Sequence, residues 1–337
     1  MAQISTTRAK TRFTWQTAWR YGRSLLEQQA ALLVFILLFI VASFRYDGFL
    51  GNYNMTNFFS YNTIFGLLAL GQTFVIMTGG IDISVGSLAA LSAVVAARVS
   101  PYGLLPALLV VALVGVLVGL INGLAVTRLR IPPFIATLAT QIGIRGMALV
   151  VSGNATISAN SKNDFQTLYS GTFLGLPIPI YLLIIVFVAS SILLNYTRFG
   201  RHVLAVGGNE EATRLLGLPV ERTKLLVYVM NGVLASIAGL LLAAQTFSGN
   251  PNEAVGWELN AIAAVIVGGT LLSGGKGTVF GSLVGALLLG LILNVLNFEN
   301  GYGLITLSSY WETVIRGMFL FIVVIVQARL VQRRKLA

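Results

Sequence analysis

Tyr196-Thr-Arg-Phe-Gly-Arg-His-Val-Leu-Ala-Val-Gly-Gly-Asn-Glu-Glu-Ala-Thr-Arg-Leu-Leu-Gly-Leu-Pro-Val-Glu-Arg-Thr-Lys224 separates two long apolar runs and is the most charged interior stretch of the chain. It holds a short helix with both ends marked. Asn209 is a good N-cap, because its side-chain oxygen accepts from a free backbone N–H. Glu210 and Glu211 put negative charge at the positive end of the helix dipole, and Arg214 lies toward the other end. Gly217 suits the left-handed position after the last turn, and Pro219 blocks continuation. The stretch therefore predicts roughly two turns of helix, Glu210 to Leu216, held between two runs that need lipid around them.

The rest of the chain agrees. Hydrophobic residues make up 56% of the 337 and charged residues only 10%, with a mean hydropathy of +0.85. Soluble domains carry about 25% charge, so this chain's solvent is lipid. Its 36 glycines suit membrane helices that approach closely. A net charge of +11 would point to nucleic acid or an anionic surface in a soluble protein. Here it follows from Lys and Arg gathering in cytoplasmic loops. There is no cysteine, which excludes disulfides, thiol catalysis and thiolate metal sites. The one histidine, His202, lies in the charged loop.

A spanning helix takes about 20 mostly apolar residues. Ten candidates follow, at roughly 28–45, 57–78, 83–99, 103–127, 132–151, 178–196, 224–247, 257–273, 277–298 and 310–330. The expected fold is all-α, a polytopic membrane bundle of about ten helices, some broken at Gly-Gly. Residues 1–27 read as an amphipathic leader on the cytoplasmic face, with Arg8, Arg12, Trp15, Trp19 and Arg23. The apolar run after it ends without a small-x-small cleavage site, so it reads as an uncleaved first span. Residues 28–330 form the membrane domain, with a cytoplasmic loop at about 197–224, and 331–337 form a basic cytoplasmic tail.

Charge sets the orientation. With the N-terminus inside, the inner segments hold Arg128, Arg130, Arg198, Arg201, Arg214, Arg222, Lys224, Lys276, Arg329, Arg333, Arg334 and Lys335. The opposite loops carry Asp47, Asp164, Glu253 and Glu299, with Arg45, Arg98 and Lys162 the main exceptions. Both termini are thus expected in the cytoplasm of a bacterial inner membrane. The long outer loop, about Ser152 to Pro177, is rich in Ser, Asn, Thr and Gly and is placed to rim a cavity or meet a partner. Two stretches echo each other, Val75 to Leu88 and Val265 to Leu283. Each has a span, a Gly-Gly break and a Gly-Ser-Leu opening, the pattern of paired broken helices.

Polar residues inside spans face other helices or water. Most here are amides, which suit a neutral hydrogen-bonding solute such as a sugar better than an ion. Interhelical hydrogen bonds account for the same residues. The candidates for a translocation path are Gln72, Asn122, Gln141, Asn231, Gln245, Asn260 and Asn294, with Asn297 of the same type. Asp82 stands before Ser84 where it can cap the third span, and Arg145 has no obvious local partner. Glu312 and Arg316 are four apart, on one helix face in the favourable acid-first order. No phosphate-binding Gly-x-x-x-x-Gly-Lys-Ser/Thr loop is present, no His/Asp/Glu group has metal spacing, and no nucleophile has a base beside it. The chain reads as neither an enzyme nor a holder of a metal or cofactor.

Five motifs together carry a family resemblance. They are Gly71-Gln-Thr-Phe-Val-Ile-Met-Thr-Gly-Gly-Ile-Asp-Ile-Ser-Val-Gly-Ser87, Ile131-Pro-Pro-Phe-Ile-Ala-Thr-Leu138 with Arg145-Gly146, Thr197-Arg-Phe-Gly-Arg201, Ala205-Val-Gly-Gly-Asn-Glu-Glu-Ala212 with Gly217, and Ala264-Val-Ile-Val-Gly-Gly-Thr-Leu-Leu-Ser-Gly-Gly-Lys-Gly-Thr278. From about residue 30 to 330 the chain resembles the permease subunits of bacterial ABC sugar importers of the ribose, xylose and galactofuranose type. The resemblance implies a multi-span permease that moves a pentose or hexose inward by alternating access. It also implies a second permease, identical or a sister chain, and a periplasmic sugar-binding protein. A separate ATPase with two nucleotide-binding domains would bind the ATP and Mg. The loop before Gly217 resembles the coupling helix that meets that ATPase, which assigns coupling to Asn209, Glu210, Glu211, Ala212, Arg214 and Gly217. The Glu-Ala-Ala signature of such loops stands here as Glu211-Ala212-Thr213, a departure at the third position. The rival reading is an ion-coupled secondary sugar transporter, which would need membrane carboxylates where the chain offers Asp82 and Glu312.

Overall fold

The computed structural model describes residues 30–160, 164–302 and scattered positions between 311 and 325. The leader at 1–27, the tenth span at 310–330 with Glu312 and Arg316, and the tail at 331–337 lie outside the described residues or only touch them at those positions. Twelve helices follow in chain order among the described residues: α1 Ala30–Arg45, α2 Asn52–Met77, α3 Val85–Val99, α4 Leu104–Thr127, α5 Pro133–Ser152, α6 Thr167–Ser170, α7 Ile178–Tyr196, α8 Arg198–Gly208, α9 Glu210–Leu215, α10 Val220–Thr246, α11 Trp257–Val267 and α12 Val279–Tyr302. Four two-residue strands pair antiparallel, Ile157–Ser158 with Ser248–Gly249, and Thr172–Phe173 with Leu176–Pro177. The helix starts follow local chemistry. Pro133 and Pro179 fall in the first turns of α5 and α7, where a missing N–H costs nothing and φ is already helical. Gly153, in the left-handed region, ends α5.

α10 is the axis of the bundle. It lies antiparallel to α4, with Gly115 against Gly232, Gly119 against Tyr228 and Val229, and Gly123 against Leu225. A Cβ at Gly119 would stand 2.5 Å from the Cα of Val229, and one at Gly232 2.3 Å from the carbonyl oxygen of Gly115. Small residues let these two backbones touch, and dispersion between them replaces the hydrophobic drive that lipid removes. α2 and α3 close on the other side of α10, and most of the α2 residues from Thr63 to Met77 are buried.

Among the described residues, seven helices are long and apolar enough to cross a membrane. α1 is described over the 16 residues Ala30–Arg45, the part of the first expected span that lies within the described residues. One expected span is shorter. α11 has 11 residues, about 16 Å, against a hydrocarbon core of ~30 Å. The expectation of a full helix over 257–273 is therefore corrected. The helix stops at Gly268, and Gly269 turns with φ +89. The chain reaches α11 through non-helical segment 247–256, where Gly249 packs on Ala93 and Val94 and the Ala254 carbonyl lies beside Gly86. This segment, mostly turn, runs along α3 from Val94 to Gly86 before α11 begins. Its polar groups are tolerated because protein covers them. The third span agrees with its expected bounds within two residues. Residues 79–84, between the second and third expected spans, are not helical, and α3 starts at Val85, with Gly86 against the Glu258 side chain in the first turn of α11. Hydropathy marks the apolar run over 257–273 but not where its helix ends.

The two ends of the bundle differ. At one end three glycine pairs meet: Gly79-Gly80 after α2, Gly207-Gly208 ending α8, and Gly274-Gly275 before α12. Gly275 N–H donates to Met77 O at 2.9 Å. A Cβ on Gly274 would stand 2.8 Å from Gly79 N and 3.0 Å from Gly207 O. At the opposite end, Asn160 N–H donates to Ser100 Oγ at 2.7 Å, Leu104 N–H to Asp164 Oδ1 at 3.0 Å, and Asn54 exchanges amide bonds with Asn294.

Candidate coupling helix and buried polar core

The glycine end carries the charged loop. Thr197 caps α8 by accepting from Gly200 N–H at 3.2 Å. α8 buries Gly200, Val203 and Val206 and leaves Arg198 and Arg201 exposed. α9 follows at once and spans Glu210–Leu215, the helix read from the sequence. Asn209 Oδ1 accepts from Ala212 N–H at 2.9 Å. Gly217 has φ +75, and the Gly217 and Leu218 amides donate to Arg214 O and Thr213 O at 3.0 and 3.2 Å. Both predicted caps are formed.

Thr213, the departure from Glu-Ala-Ala, is 3% exposed. Its hydroxyl donates to Ala205 O at 2.9 Å and to Asn209 O at 2.7 Å, so the substituted position ties α9 back onto α8. Glu210 takes Lys224 Nζ at 2.5 Å and Arg214 at 3.3 Å, and Arg214 also reaches Glu221 at 3.8 Å. Exposed pairs of this kind contribute little each, but they join α9 to the start of α10. Glu211 and Ala212 stay exposed. So do Leu215 at 84% and Leu216 at 77%, which sequence reading did not single out. Their signal was present, as two leucines in a helix with no other apolar face to bury. A short helix strapped to α8 and α10 thus presents acid, small and apolar groups outward.

The path candidates separate into three places. Gln72, Asn122 and Asn231 are fully buried and join one network around Asp82. Ser84 N–H and Oγ donate to Asp82 Oδ1 at 2.9 and 2.6 Å, and Asn231 Nδ2 donates to Oδ2 at 2.9 Å. With its amide oriented to satisfy both partners, Gln72 donates to Asp82 O at 3.3 Å and accepts from Asp82 N–H at 3.1 Å. Asn122 donates to Ser84 Oγ at 2.9 Å and accepts from Thr140 at 2.7 Å. The network ties α2, α4, α5 and α10 to the break before α3. Asp82 caps through the Ser84 amide at the mouth of α3, close to the role its position predicts. One atom of the network, Asn231 Oδ1, has no hydrogen-bond partner, while the bonds that are made tie the break to four helices and hold it in one shape.

Gln141 lies elsewhere, donating to Glu258 Oε1 at 3.1 Å. Arg145, without a local partner in sequence, reaches across to Pro251 O at 2.5 Å and Glu253 O at 2.8 Å. It holds the turn that leads into α11, and Glu258, buried beside it, was missed because its own helix was read as a plain span. Asn260 is partly exposed on α11. Gln245 and Asn294 come together at the end away from the glycine junction, in a cavity where Tyr169 of the long outer loop also lies. Gln245 Nε2 donates to the Tyr169 hydroxyl at 2.8 Å. Burial, with the Tyr61 phenol nearby, pushes the Tyr169 phenol up to about 12, so it stays protonated at neutral pH. The loop from Ser152 to Pro177 rims a cavity through Tyr169, as its composition allowed. Among the described residues no group of His, Cys, Asp and Glu is placed to hold a metal ion.

Comparison with known proteins places this architecture. The ribose import permease RbsC of Escherichia coli K12 is 37% identical over 307 residues, covering 90% of this chain and 94% of the relative. RbsC of Bacillus subtilis 168 is 38% identical over 308 residues, 90% of this chain and 94% of the relative. The L-arabinose transport permease AraH of E. coli K12 is 35% identical over 318 residues, with 92% and 93% covered. No solved structure matches. The profile of the family described as "Branched-chain amino acid transport system / permease component" matches residues 54–324, and the chain belongs to that family of multi-pass membrane permeases.

Proposed function

We propose that this chain is the membrane-spanning subunit of an ATP-driven importer that moves a monosaccharide inward, with the ATPase docked on α9. One observation carries the reading: a helix capped at both ends, strapped to α8 and α10, shows exposed Leu215 and Leu216 on a permease whose relatives are named for ribose import and L-arabinose transport. The glycine end is then cytoplasmic, both termini with it, and the cavity end faces the binding protein. A second permease copy, identical or sister, completes the pathway.

The geometry supports a transmission route. α8 runs from the end of α7 to Gly207, and Gly207 touches both helix breaks at once, against Met77 O and Gly275 N. A push on α9 reaches α8 through Thr213 and the breaks through Gly207. The attached helices can then move as bodies, which is how small interface shifts become rocking.

The test replaces Leu215 and Leu216 together by Asp in the complete transporter. Burying one leucine stabilises a contact by about 1.5–3 kcal/mol, so the expected result is at least about tenfold weaker ATPase co-purification and loss of ATP-driven sugar uptake. Unchanged docking and uptake would remove α9 from the interface. Uptake that survives ATP depletion and collapses with the ion gradient would instead establish the secondary transporter.

A further inference from the structure

A cavity of about 250 Å3 lies at the end away from the glycine junction, between α2, α6, α10 and α12. It is smaller than the ~300 Å3 where pockets for drug-sized ligands begin, and has room for one small ring. Five amides line it, Asn57, Asn62, Gln245, Asn294 and Asn297, with the Tyr169 phenol, and no charged side chain does. They come from helices far apart in sequence. On α2, Asn57 and Tyr61 are one turn apart, with Asn62 next. On α12, Gly290, Leu293, Asn294 and Asn297 repeat at three and four residues, one face of the helix.

Two details show how closely the wall behind the cavity is packed. Asn62 is 2% exposed, and its amide nitrogen is held by Phe58 O at 2.7 Å. Its Oδ1 has no hydrogen-bond partner, a costly state for a buried acceptor. Gly290 faces it, and a Cβ there would stand 1.7 Å from that oxygen. Only glycine leaves Asn62 its place in the wall.

We infer that this cavity is a low-affinity subsite for a neutral polyhydroxyl ring, a monosaccharide in transit. An amide donates and accepts at once, as a sugar hydroxyl does, so a ring of amides matches a ring of hydroxyls. The exposed ring of Tyr61 offers an apolar face to sugar C–H groups. A zwitterionic amino acid would need a charged partner at each end, and the lining has none. The inference rests on the reading as a sugar permease and adds the place where the sugar is held.

The test is a saturation-transfer NMR titration of the full chain in lipid nanodiscs with D-ribose, L-arabinose and L-leucine. The expected result is weak binding of at least one pentose and none of leucine. Gln245→Leu and Asn297→Leu should each weaken the pentose about tenfold. Asn195→Leu, exposed on α7 outside the cavity, should change nothing. Asn297 is exposed at the rim, so its variant keeps the test valid if Gln245→Leu loosens the loop. Binding of neither pentose, binding of leucine in their place, or pentose binding untouched by both cavity variants overturns the subsite. Uptake in cells carrying the whole transporter separates the two readings. ATP-driven sugar uptake without pentose binding here sinks only the subsite, whereas ATP-independent uptake sinks the parent reading.

Discussion

Gly207 and Gly208 are neighbours with opposite surroundings. A Cβ at Gly207 would stand 1.7 Å from Met77 O and 2.4 Å from Gly275 N, both backbone atoms, while one at Gly208 would meet nothing within 4 Å. Gly207→Ala should therefore force the glycine junction apart and destabilise by about 1–3 kcal/mol, the usual range for overpacking. Gly208→Ala should be close to neutral. Thermal unfolding of the two variants in the same detergent checks this, and equal melting temperatures would show that the junction is not closely packed. The sequence displayed all three glycine pairs, and it displayed Asn209 and Gly217 as caps because capping is decided within a few residues. It did not display that the pairs meet, nor that Asn57 and Asn62 face Gln245, Asn294 and Asn297. Those contacts span up to 240 residues and are made only by packing, so no local pattern encodes them.

At the scale of elements, the short helix α9 is set by its ends. Gly217 holds φ +75 with open space around it, so a substitution there meets backbone strain and no clash. A β-branched residue in the left-handed region costs about 1–2 kcal/mol, while asparagine visits it readily. Gly217→Val should leave the bundle folded, displace the end of α9 and lower the sugar moved per ATP hydrolysed. Gly217→Asn should restore it. Stoichiometry measured in proteoliposomes decides, and equal coupling in both variants would mean that the cap does not position α9. The long helices were legible for a related reason, since their length and apolarity are properties of the run itself. α11 was not. From Trp257 to Ser273 the composition is that of a span, yet the helix ends at Val267 and is entered through a turn-rich segment pinned by Arg145. The same protein cover that makes this possible hides it from hydropathy.

For the whole molecule, the two halves of the account meet in a single sidedness. The breaks at Gly79 and Gly274 and the end of α8 share one end of the bundle through direct backbone contact. The outer loop, the 248–249 strand and the amide cavity share the other. Positive charge is concentrated with the glycine end, and on the proposed orientation that end faces the cytoplasm. The chain has no cysteine, so single-cysteine variants report position with no background to remove. Glu211→Cys sits on the exposed face of α9, and Leu174→Cys at a turn where the side chain is 85% exposed. In intact cells a membrane-impermeant maleimide should label the Leu174 variant and spare the Glu211 variant. Inverted vesicles should reverse the pattern. Since the contacts fix the two ends relative to each other, the labels must change sides together. Labelling of both positions from the same side would break the bundle described here. A concerted reversal would keep the bundle and place α9 where no cytoplasmic ATPase could reach it.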